Sequence, residues 1–168
     1  MLTIEMLCGL VNDLNQSTRF SGLPRMPGDH AAGVLEVCGW MTGFPMRTAF
    51  SRGVPEHDPW RFEARRMVES GEADCALWIS AYRAAAPEWG GDLPVIALTA
   101  GDANFRRRPP RVHIAVGTPG LDHDAVEQFA PTATLVQTQA KHKSRSVSVA
   151  QAIGEIASAL PSDRPPAC

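Results

Sequence analysis

The stretch Asp74-Cys75-Ala76-Leu77-Trp78-Ile79-Ser80 decides the fold class of this sequence. It is a continuous apolar run bounded by polar residues, which is typical of a strand buried on both faces of a parallel sheet. Residues 94–99 and 112–116 repeat the pattern, and a fourth strand over residues 133–138 follows a short predicted helix with Asp122 as its N-cap. This alternation predicts an α/β fold, a Rossmann-like three-layer sandwich with a mostly parallel sheet.

Further helical patterns lie upstream and downstream of these strands. Residues 2–14 carry apolar side chains at helical spacing, and the last helix, residues 148–160, opens with a capping-box spacing. Asp58 is predicted to be the N-cap of a third helix, which Gly71 ends.

Length and composition indicate one domain. A chain of 168 residues with 44% apolar content can bury one real core, so we predict a single domain over residues 1–160 and a tail over 161–168. Its 16 basic and 18 acidic residues give a net charge of −2, which argues against a general nucleic-acid binder or a polybasic membrane-surface protein. The sequence shows no targeting segment and no apolar run of roughly 20 residues, so we expect a cytoplasmic location.

Several common catalytic signatures are absent from the sequence. The four cysteines are far apart and lack the spacing of a zinc or iron–sulfur site, and Cys8 and Cys75 are expected to be buried structural thiols. No glycine-rich dinucleotide motif, P-loop, serine-hydrolase elbow or paired-carboxylate signature occurs. The residues alone favour a binding or assembly domain over an enzyme.

The carboxyl ends of the predicted strands mark the position where such sheets bind ligands. Ser80 and Thr99 lie at two of these ends, and Arg107 belongs to an arginine cluster that follows the second strand. Guanidinium groups match phosphate or carboxylate geometry, although a solvated loop is the simpler interpretation of the cluster. His113, in an apolar strand, is expected to be packed and hydrogen-bonded rather than catalytic.

The run from Trp40 to Pro55 is predicted to be an ordered loop, preceded at residues 34–40 by a short strand or turn. It combines two glycines, two prolines, two arginines and three large aromatic residues without helical or two-residue periodicity. Because a fully buried Phe gains about 1.5–3 kcal/mol, aromatic rings in such a loop are expected to pack against something. The residues assigned to this motif are Trp40, Gly43, Phe44, Pro45, Phe50, Ser51, Arg52 and Gly53.

These motifs carry a family resemblance. Asp13-Leu14-Asn15 with Thr18-Arg19-Phe20-Ser21, then Trp40-x-Thr42-Gly43-Phe44-Pro45 and Phe50-Ser51-Arg52-Gly53-x-Pro55, resemble the B subunit of formylmethanofuran dehydrogenase. The sequence is also similar to that protein's relative in the formyltransferase/hydrolase complex of methylotrophic bacteria, and the similarity extends over nearly the whole chain. The resemblance implies a molybdopterin-oxidoreductase fold of the formate dehydrogenase/DMSO reductase type, in which this region is a Rossmann-like portion of a longer polypeptide.

The resemblance also bears on the cofactor, which in the dehydrogenase is a molybdopterin or tungstopterin guanine dinucleotide. None of the four cysteines matches the iron–sulfur cysteines of that family. Where dehydrogenase members place a Ser-Asp-Pro-like turn, this sequence has Ser80-Ala81-Tyr82 and lacks the carboxylate that could bind guanine or ribose. We therefore expect no metal and no cofactor, with Ser80, Thr99 and Arg107 as vestiges of a cofactor site.

Three functional interpretations follow. The first is a non-catalytic, partial B subunit with a structural or assembly role in one-carbon metabolism, whose partners are the other subunits and which forms homo-oligomers in isolation. In that interpretation Phe44, Phe50 and Arg52 are structural or interface residues. The second is an oxidoreductase component that contributes part of a pterin site, and the third is a standalone nucleotide-binding module.

Overall fold

The computed structural model describes residues 2–21, 28, 30–89, 92–105, 108–129, 132, 134–142 and 144–161. The helices in this part of the chain are α1 (Leu2–Asn15), α2 (Ala31–Thr42), α3 (Ala64–Glu69) and α4 (Val149–Ala159). The strands are β1 (Thr48–Ala49), β2 (Glu56–His57), β3 (Ala76–Ser80), β4 (Val95–Ala100), β5 (Val112–Val116), β6 (Ala125–Phe129) and β7 (Thr134–Thr138).

A three-stranded parallel sheet in the order β3-β4-β5 forms the centre of the structure. Ser80 pairs with Thr99, so β3 and β4 end at the same edge of the sheet. Two separate antiparallel pairs, β1-β2 and β6-β7, accompany it. The prediction of a mixed α/β structure with parallel strands at these three positions is confirmed.

The core lies where α4 covers β4 and β5. Leu98 is completely buried and clusters with Ala81, Val116 and Ala152 of α4. The opening of α4 confirms its predicted capping box, because the Ser148 hydroxyl accepts from the backbone N–H of Gln151 while the Gln151 side chain accepts from that of Ser148.

The edge strand β3 differs from its prediction. Its residues alternate between partly buried and exposed, with Leu77 and Ile79 exposed, so the expectation of burial on both faces was wrong for this strand. The reason is that α4 packs over β5, and no helix that the structure describes packs extensively over β3. Cys75, just before β3, and Cys8 in α1 are exposed as well, so neither is the buried thiol expected.

The fourth predicted strand exists, as β7, but it does not join the central sheet. It pairs antiparallel with β6, which occupies the place of the helix predicted from Asp122. The Asp122 carboxylate accepts from the backbone N–H of Thr118, four residues earlier, so it closes a turn instead of capping a helix. Gly120 in this turn has φ +68°, and a Cβ there would lie 2.9 Å from the Thr138 hydroxyl oxygen.

Helix α2 replaces the short strand or turn predicted over residues 34–40. Two glycines, Gly33 and Gly39, lie inside it and weaken the helical signal of the sequence. The helix ends at Gly43, whose φ of 77° is left-handed and whose backbone N–H donates to the carbonyl of Gly39 at 2.8 Å.

Helix α3 begins later than predicted and ends where predicted. Asp58 accepts from the backbone N–H groups of Trp60 and Arg61, which forms a turn, and Glu63 is the N-cap of the helix. At the other end, Gly71 is left-handed, and the N–H of Glu72 donates to the carbonyl five residues earlier, as in a Schellman motif.

The first predicted helix is confirmed as α1, whereas the predicted tail over residues 161–168 lies, apart from residue 161, outside the described residues. In the part of the chain that the structure describes, no helix is long and apolar enough to cross a membrane. The assignment of residues 1–160 to one domain stays a prediction.

Replacing Leu98 by Ala tests the assignment of the core. The side chain is completely buried between the sheet and α4, so we expect Leu98→Ala to lower the free energy of unfolding by about 2–5 kcal/mol. Urea unfolding followed by circular dichroism measures it. The matched control is Leu135→Ala on the exposed face of β7, which should change stability by no more than about 0.5 kcal/mol. Equal effects of the two substitutions would contradict this core.

Candidate functional site

The predicted ligand edge of the sheet brings Ser80 and Thr99 side by side. The Ser80 hydroxyl donates to the carbonyl of Arg83 at 2.8 Å. The completely buried Thr99 hydroxyl donates to the carbonyl of Gly101 at 2.7 Å. Both hydroxyl protons are therefore used within the chain. Arg107, the third predicted residue of this site, lies outside the described residues.

His113 of β5 packs against Thr99 from the neighbouring strand. Its Nε2 atom lies 2.7 Å from the Thr99 hydroxyl oxygen. Because the Thr99 hydroxyl donates its one proton to the Gly101 carbonyl, its oxygen acts as the acceptor here, and the tautomer with a proton on Nε2 fits this contact. The imidazole edge contacts the ring of Phe105, with 6.4 Å between centroids. The prediction that His113 is hydrogen-bonded is confirmed, whereas the residue is exposed and not packed in the core.

An open depression of about 330 Å³ lies beside His113. The loop after β4 supplies most of its lining, which consists of residues 102–105, Pro109, Pro110 and His113. In this lining the ionisable side chains are the carboxylate of Asp102 and the imidazole of His113. The described lining thus holds no guanidinium or ammonium group that could bind a phosphate.

A second polar cluster lies at the turn after β3. The Tyr82 hydroxyl donates to Glu127 Oε1 at 3.0 Å, and the Tyr82 ring stacks on His30, with 4.1 Å between centroids. His30 Nε2 lies 3.9 Å from the same carboxylate oxygen. The sequence of this turn lacks a carboxylate, and Glu127 of β6 places one beside it. That carboxylate accepts the hydrogen bond from Tyr82.

The motif loop is ordered, as predicted, although its first three residues belong to α2. The backbone N–H of Phe44 donates to the Thr42 hydroxyl at 3.0 Å, and the Thr48 hydroxyl donates to the carbonyl of Pro45 at 2.6 Å. The chain then forms the small β1-β2 pair, and the Phe44 ring stacks on His57 with 6.0 Å between centroids.

Most motif side chains nevertheless remain in solvent. Trp40 is 67% exposed and Phe50 58% exposed, so the described part of the chain does not supply the packing expected for these two rings. Arg52 forms an ion pair with Glu56, with 3.3 Å between the nitrogen and the oxygen. Gly43, Pro45, Ser51 and Gly53 are exposed as well. The motif thus presents an ordered surface rather than a filled pocket.

An arginine clamp, which no sequence pattern had indicated, fixes the segment after the motif. Arg66 donates to both carboxylate oxygens of Glu72, at 2.6 and 2.9 Å, and its guanidinium lies 4.9 Å from the centre of the Trp60 ring. The hydrogen bonds from Arg66, and next that from Ser70, lower the pKa of Glu72 to about 2 against the opposing effect of desolvation. The paired carboxylate raises the pKa of Arg66 in turn. In the sequence, the only indication of this ion pair is that two opposite charges lie six residues apart. Such spacings are too common to predict a specific pair.

The described residues contain no group of three or more His, Cys, Asp or Glu side chains that could hold a metal ion.

No protein-family model matches this sequence. Among curated proteins, it is 42% identical over 120 residues to the B subunit of the formyltransferase/hydrolase complex of Methylorubrum extorquens. The chain is homologous to this B subunit. The match covers 71% of the chain and 33% of the relative, so the chain spans about a third of the length of that protein.

Two further comparisons agree with the B-subunit assignment. The B subunit of the tungsten-containing formylmethanofuran dehydrogenase 2 of Methanocaldococcus jannaschii is 37% identical over 71 residues, which cover 42% of the chain and 16% of the relative. A solved structure of the formyltransferase/hydrolase complex from Methylorubrum extorquens, with methylofuran, contains a chain that superposes with a TM-score of 0.81 at 34% identity. That superposition covers 91% of this chain and 43% of the other.

The structural role of the Thr99 hydroxyl can be tested by its removal. Thr99→Val removes the hydroxyl that bonds the Gly101 carbonyl and His113, and because these two residues are exposed and can bond water instead, we expect a loss of about 0.5–1.5 kcal/mol in the free energy of unfolding. Thr99→Ser keeps the hydroxyl and should lose less. Chemical unfolding measures both variants, and equal stability of the wild type and Thr99→Val would show that these bonds are not needed for the fold.

The arginine clamp predicts a pH dependence of stability. The pKa of Glu72 is depressed in the folded state, so its contribution is present above its ordinary value of 4.5 and is lost as the pH falls from there to about 2. Glu72→Gln should therefore lower the Tm near neutral pH, and the difference from the wild type should shrink on acidification. Thermal unfolding of both proteins at a series of pH values, from neutral pH down to the acidic range, measures this difference in Tm. Glu69→Gln on α3 is the control, and a wild-type difference that stays constant with pH would contradict the clamp.

Proposed function

We propose that the chain acts as a partial, cofactor-free B subunit of a formyltransferase/hydrolase-type complex, with a structural or assembly role in one-carbon metabolism. The superposition on a chain of the Methylorubrum extorquens complex, at a TM-score of 0.81 and 34% identity, is the observation that carries the proposal. The partners are the other subunits of such a complex, and the location is cytoplasmic.

Exposed aromatic side chains support a role in assembly. The exposed rings of Trp40, in the last turn of α2, and of Phe50, in the ordered loop that follows, are of the residue types that anchor protein–protein interfaces. In the absence of its partners, the same surface favours homo-oligomers.

The sheet edge supports the absence of a pterin guanine dinucleotide, because the residues there do not fit one. The hydroxyls of Ser80 and Thr99 donate to carbonyls of the chain itself. At the turn after β3, the Tyr82 ring stacks on His30, and the Tyr82 hydroxyl donates to the carboxylate of Glu127. The hydroxyl protons of Ser80 and Thr99 are thus not available to a guanine or a diphosphate.

The same homology supports a finer description of the fold, namely a Rossmann-like three-layer sandwich of the formate dehydrogenase/DMSO reductase type. Helix α4 provides one outer layer. On the opposite face, the Trp78 indole N–H donates to the carbonyl of Ala85 at 2.7 Å, and Phe105 contacts His113. Loop segments thus take the position of the other layer in the described chain.

Cofactor analysis and co-purification test the proposal. The chain is expressed with the remaining subunits of the Methylorubrum extorquens complex, and the purified assembly is analysed for tungsten, molybdenum and pterin. We expect the chain to co-purify with those subunits while contributing neither metal nor pterin. Stoichiometric metal with a pterin bound to this chain would support the oxidoreductase interpretation instead, and failure to co-purify would refute the assembly role.

The motif surface gives a sharper version of the same test. Trp40→Ala should raise the dissociation constant of the assembly at least about tenfold, because exposed tryptophans at interface centres act as anchors. Val126→Ala, which removes an exposed apolar side chain from β6, should change it by less than about twofold. Biolayer interferometry with the immobilised partner subunits measures both, and equal constants for the two variants would place the interface elsewhere.

A further inference from the structure

One face of the central sheet is only half covered. Directly paired residues of parallel strands project to the same face, so Ile79, Leu98 and Ile114 share the face on which α4 lies. Leu98 in the middle of this row is completely buried, whereas Ile79 on the edge strand is 43% exposed. Leu77, two residues earlier on the same face, is 54% exposed. We name the uncovered area over Leu77 and Ile79, beside α4, the β3 slot.

The β3 slot lies over one strand beside α4, a position suited to a single further helix. Helices pack on sheets and on each other at about 8–10 Å, so the space beside α4 over one further strand accommodates a single helix. The side chains of Ile153 and Ile156 on α4 are also partly exposed. Both the floor of the slot, formed by β3, and its side, formed by α4, therefore carry exposed apolar side chains.

Helix α1 presents a second uncovered apolar surface. Ile4, Leu7, Val11 and Leu14 follow the three-and-four spacing of a helix that packs along another helix. Ile4 is 68% exposed and Leu7 58% exposed, and α1 does not pack extensively on any other described helix or strand. We name the row formed by these four residues the α1 stripe.

We propose that the β3 slot and the α1 stripe dock the polypeptide that corresponds to the part of the B subunit outside the matched region. This inference rests on the proposed function and deepens it by assigning the surface to one partner. Its occupant contributes an apolar helix, rich in Leu, Ile, Val or Ala, to the β3 slot and packs a second apolar row along the α1 stripe. The docking is the same whether the occupant and the chain belong to one polypeptide or to two.

Two observations select this occupant over other partners. In the solved complex the superposed region is 43% of its chain, so more than half of that chain is available to cover the corresponding surface. The uncovered apolar residues also lie on two separate elements, with Ile4 and Leu7 exposed on α1 and Leu77 and Ile79 exposed on β3. A covering partner must therefore reach both elements, which a polypeptide of that length can do.

The test co-expresses the full chain with a tagged segment of the Methylorubrum extorquens B subunit from outside the aligned region. The amount of chain retained on the tag is measured. Ile4→Glu with Leu7→Glu on α1, and Leu77→Glu with Ile79→Glu on β3, should each reduce retention at least about tenfold, because a buried unpaired carboxylate opposes docking. The control is Val126→Glu with Leu135→Glu on the β6-β7 hairpin, where both side chains are exposed, and it should reduce retention by less than about twofold. Circular dichroism must show unchanged helix content for every variant.

A chimera provides a second measurement that does not need separate expression of the segment. The chain replaces the aligned third of the Methylorubrum extorquens B subunit, and the same substitutions are introduced. The α1 and β3 variants should lower the Tm of the chimera, while the hairpin variant should leave it unchanged.

Three outcomes would overturn the inference. They are an equal effect of the hairpin control, no effect of the α1 and β3 substitutions, and no retention of the unsubstituted chain on the tagged segment. Co-purification of the chain with the other subunits of the complex is scored separately. The docking assignment can thus fail while the proposed function stands, whereas loss of all co-purification would reject both.

Discussion

The burial of β4 is the constraint on which the rest of the structure depends. Leu98 faces α4 on one side of the sheet, and Thr99 faces the loops on the other, both without solvent contact. A buried hydroxyl must find hydrogen-bond partners, since an unsatisfied one costs about 1–3 kcal/mol. Thr99 finds them in the Gly101 carbonyl and His113, which ties the loop after β4 and the neighbouring strand β5 to this one residue. The carboxyl edge of the sheet is thereby used for structure at the position where a related fold would bind a ligand.

The sequence predicts the three strands of the central sheet because each is a short apolar run with clear boundaries. The same pattern could not show that β3 is an edge strand. An apolar run predicts that the side chains are buried, but it does not predict which element buries them. Helix α2 was missed since Gly33 and Gly39 interrupt its pattern. Strand β6 was missed because Asp122 has the residue type of an N-cap, and only the three-dimensional structure shows that its carboxylate binds an N–H upstream.

The candidate site divides in the same way between what is local and what is not. The sequence alone shows that the turn after β3 lacks the carboxylate that members of the dehydrogenase family have there. That Glu127 of β6 supplies one, 45 residues along the chain from Tyr82, depends on how the hairpin packs, and no sequence spacing encodes it. The motif loop was predicted to be ordered from its composition, and its order comes from local bonds such as that between Phe44 and Thr42. The packing of Trp40 and Phe50 was predicted from the same composition, but the described chain does not contain it.

Binding of a partner to the exposed apolar surfaces would add to the stability of this chain. Each large apolar side chain left in water forgoes about 1.5–3 kcal/mol, and domains are stable by only about 5–15 kcal/mol in total. The core centred on Leu98 is small beside the exposed apolar residues of α1, β3 and the motif loop. Any partner that binds these surfaces in the folded state alone adds its binding free energy to stability. The surface that identifies the family is therefore also the surface through which a partner would stabilise the fold, so its residues are constrained by stability and by recognition at once.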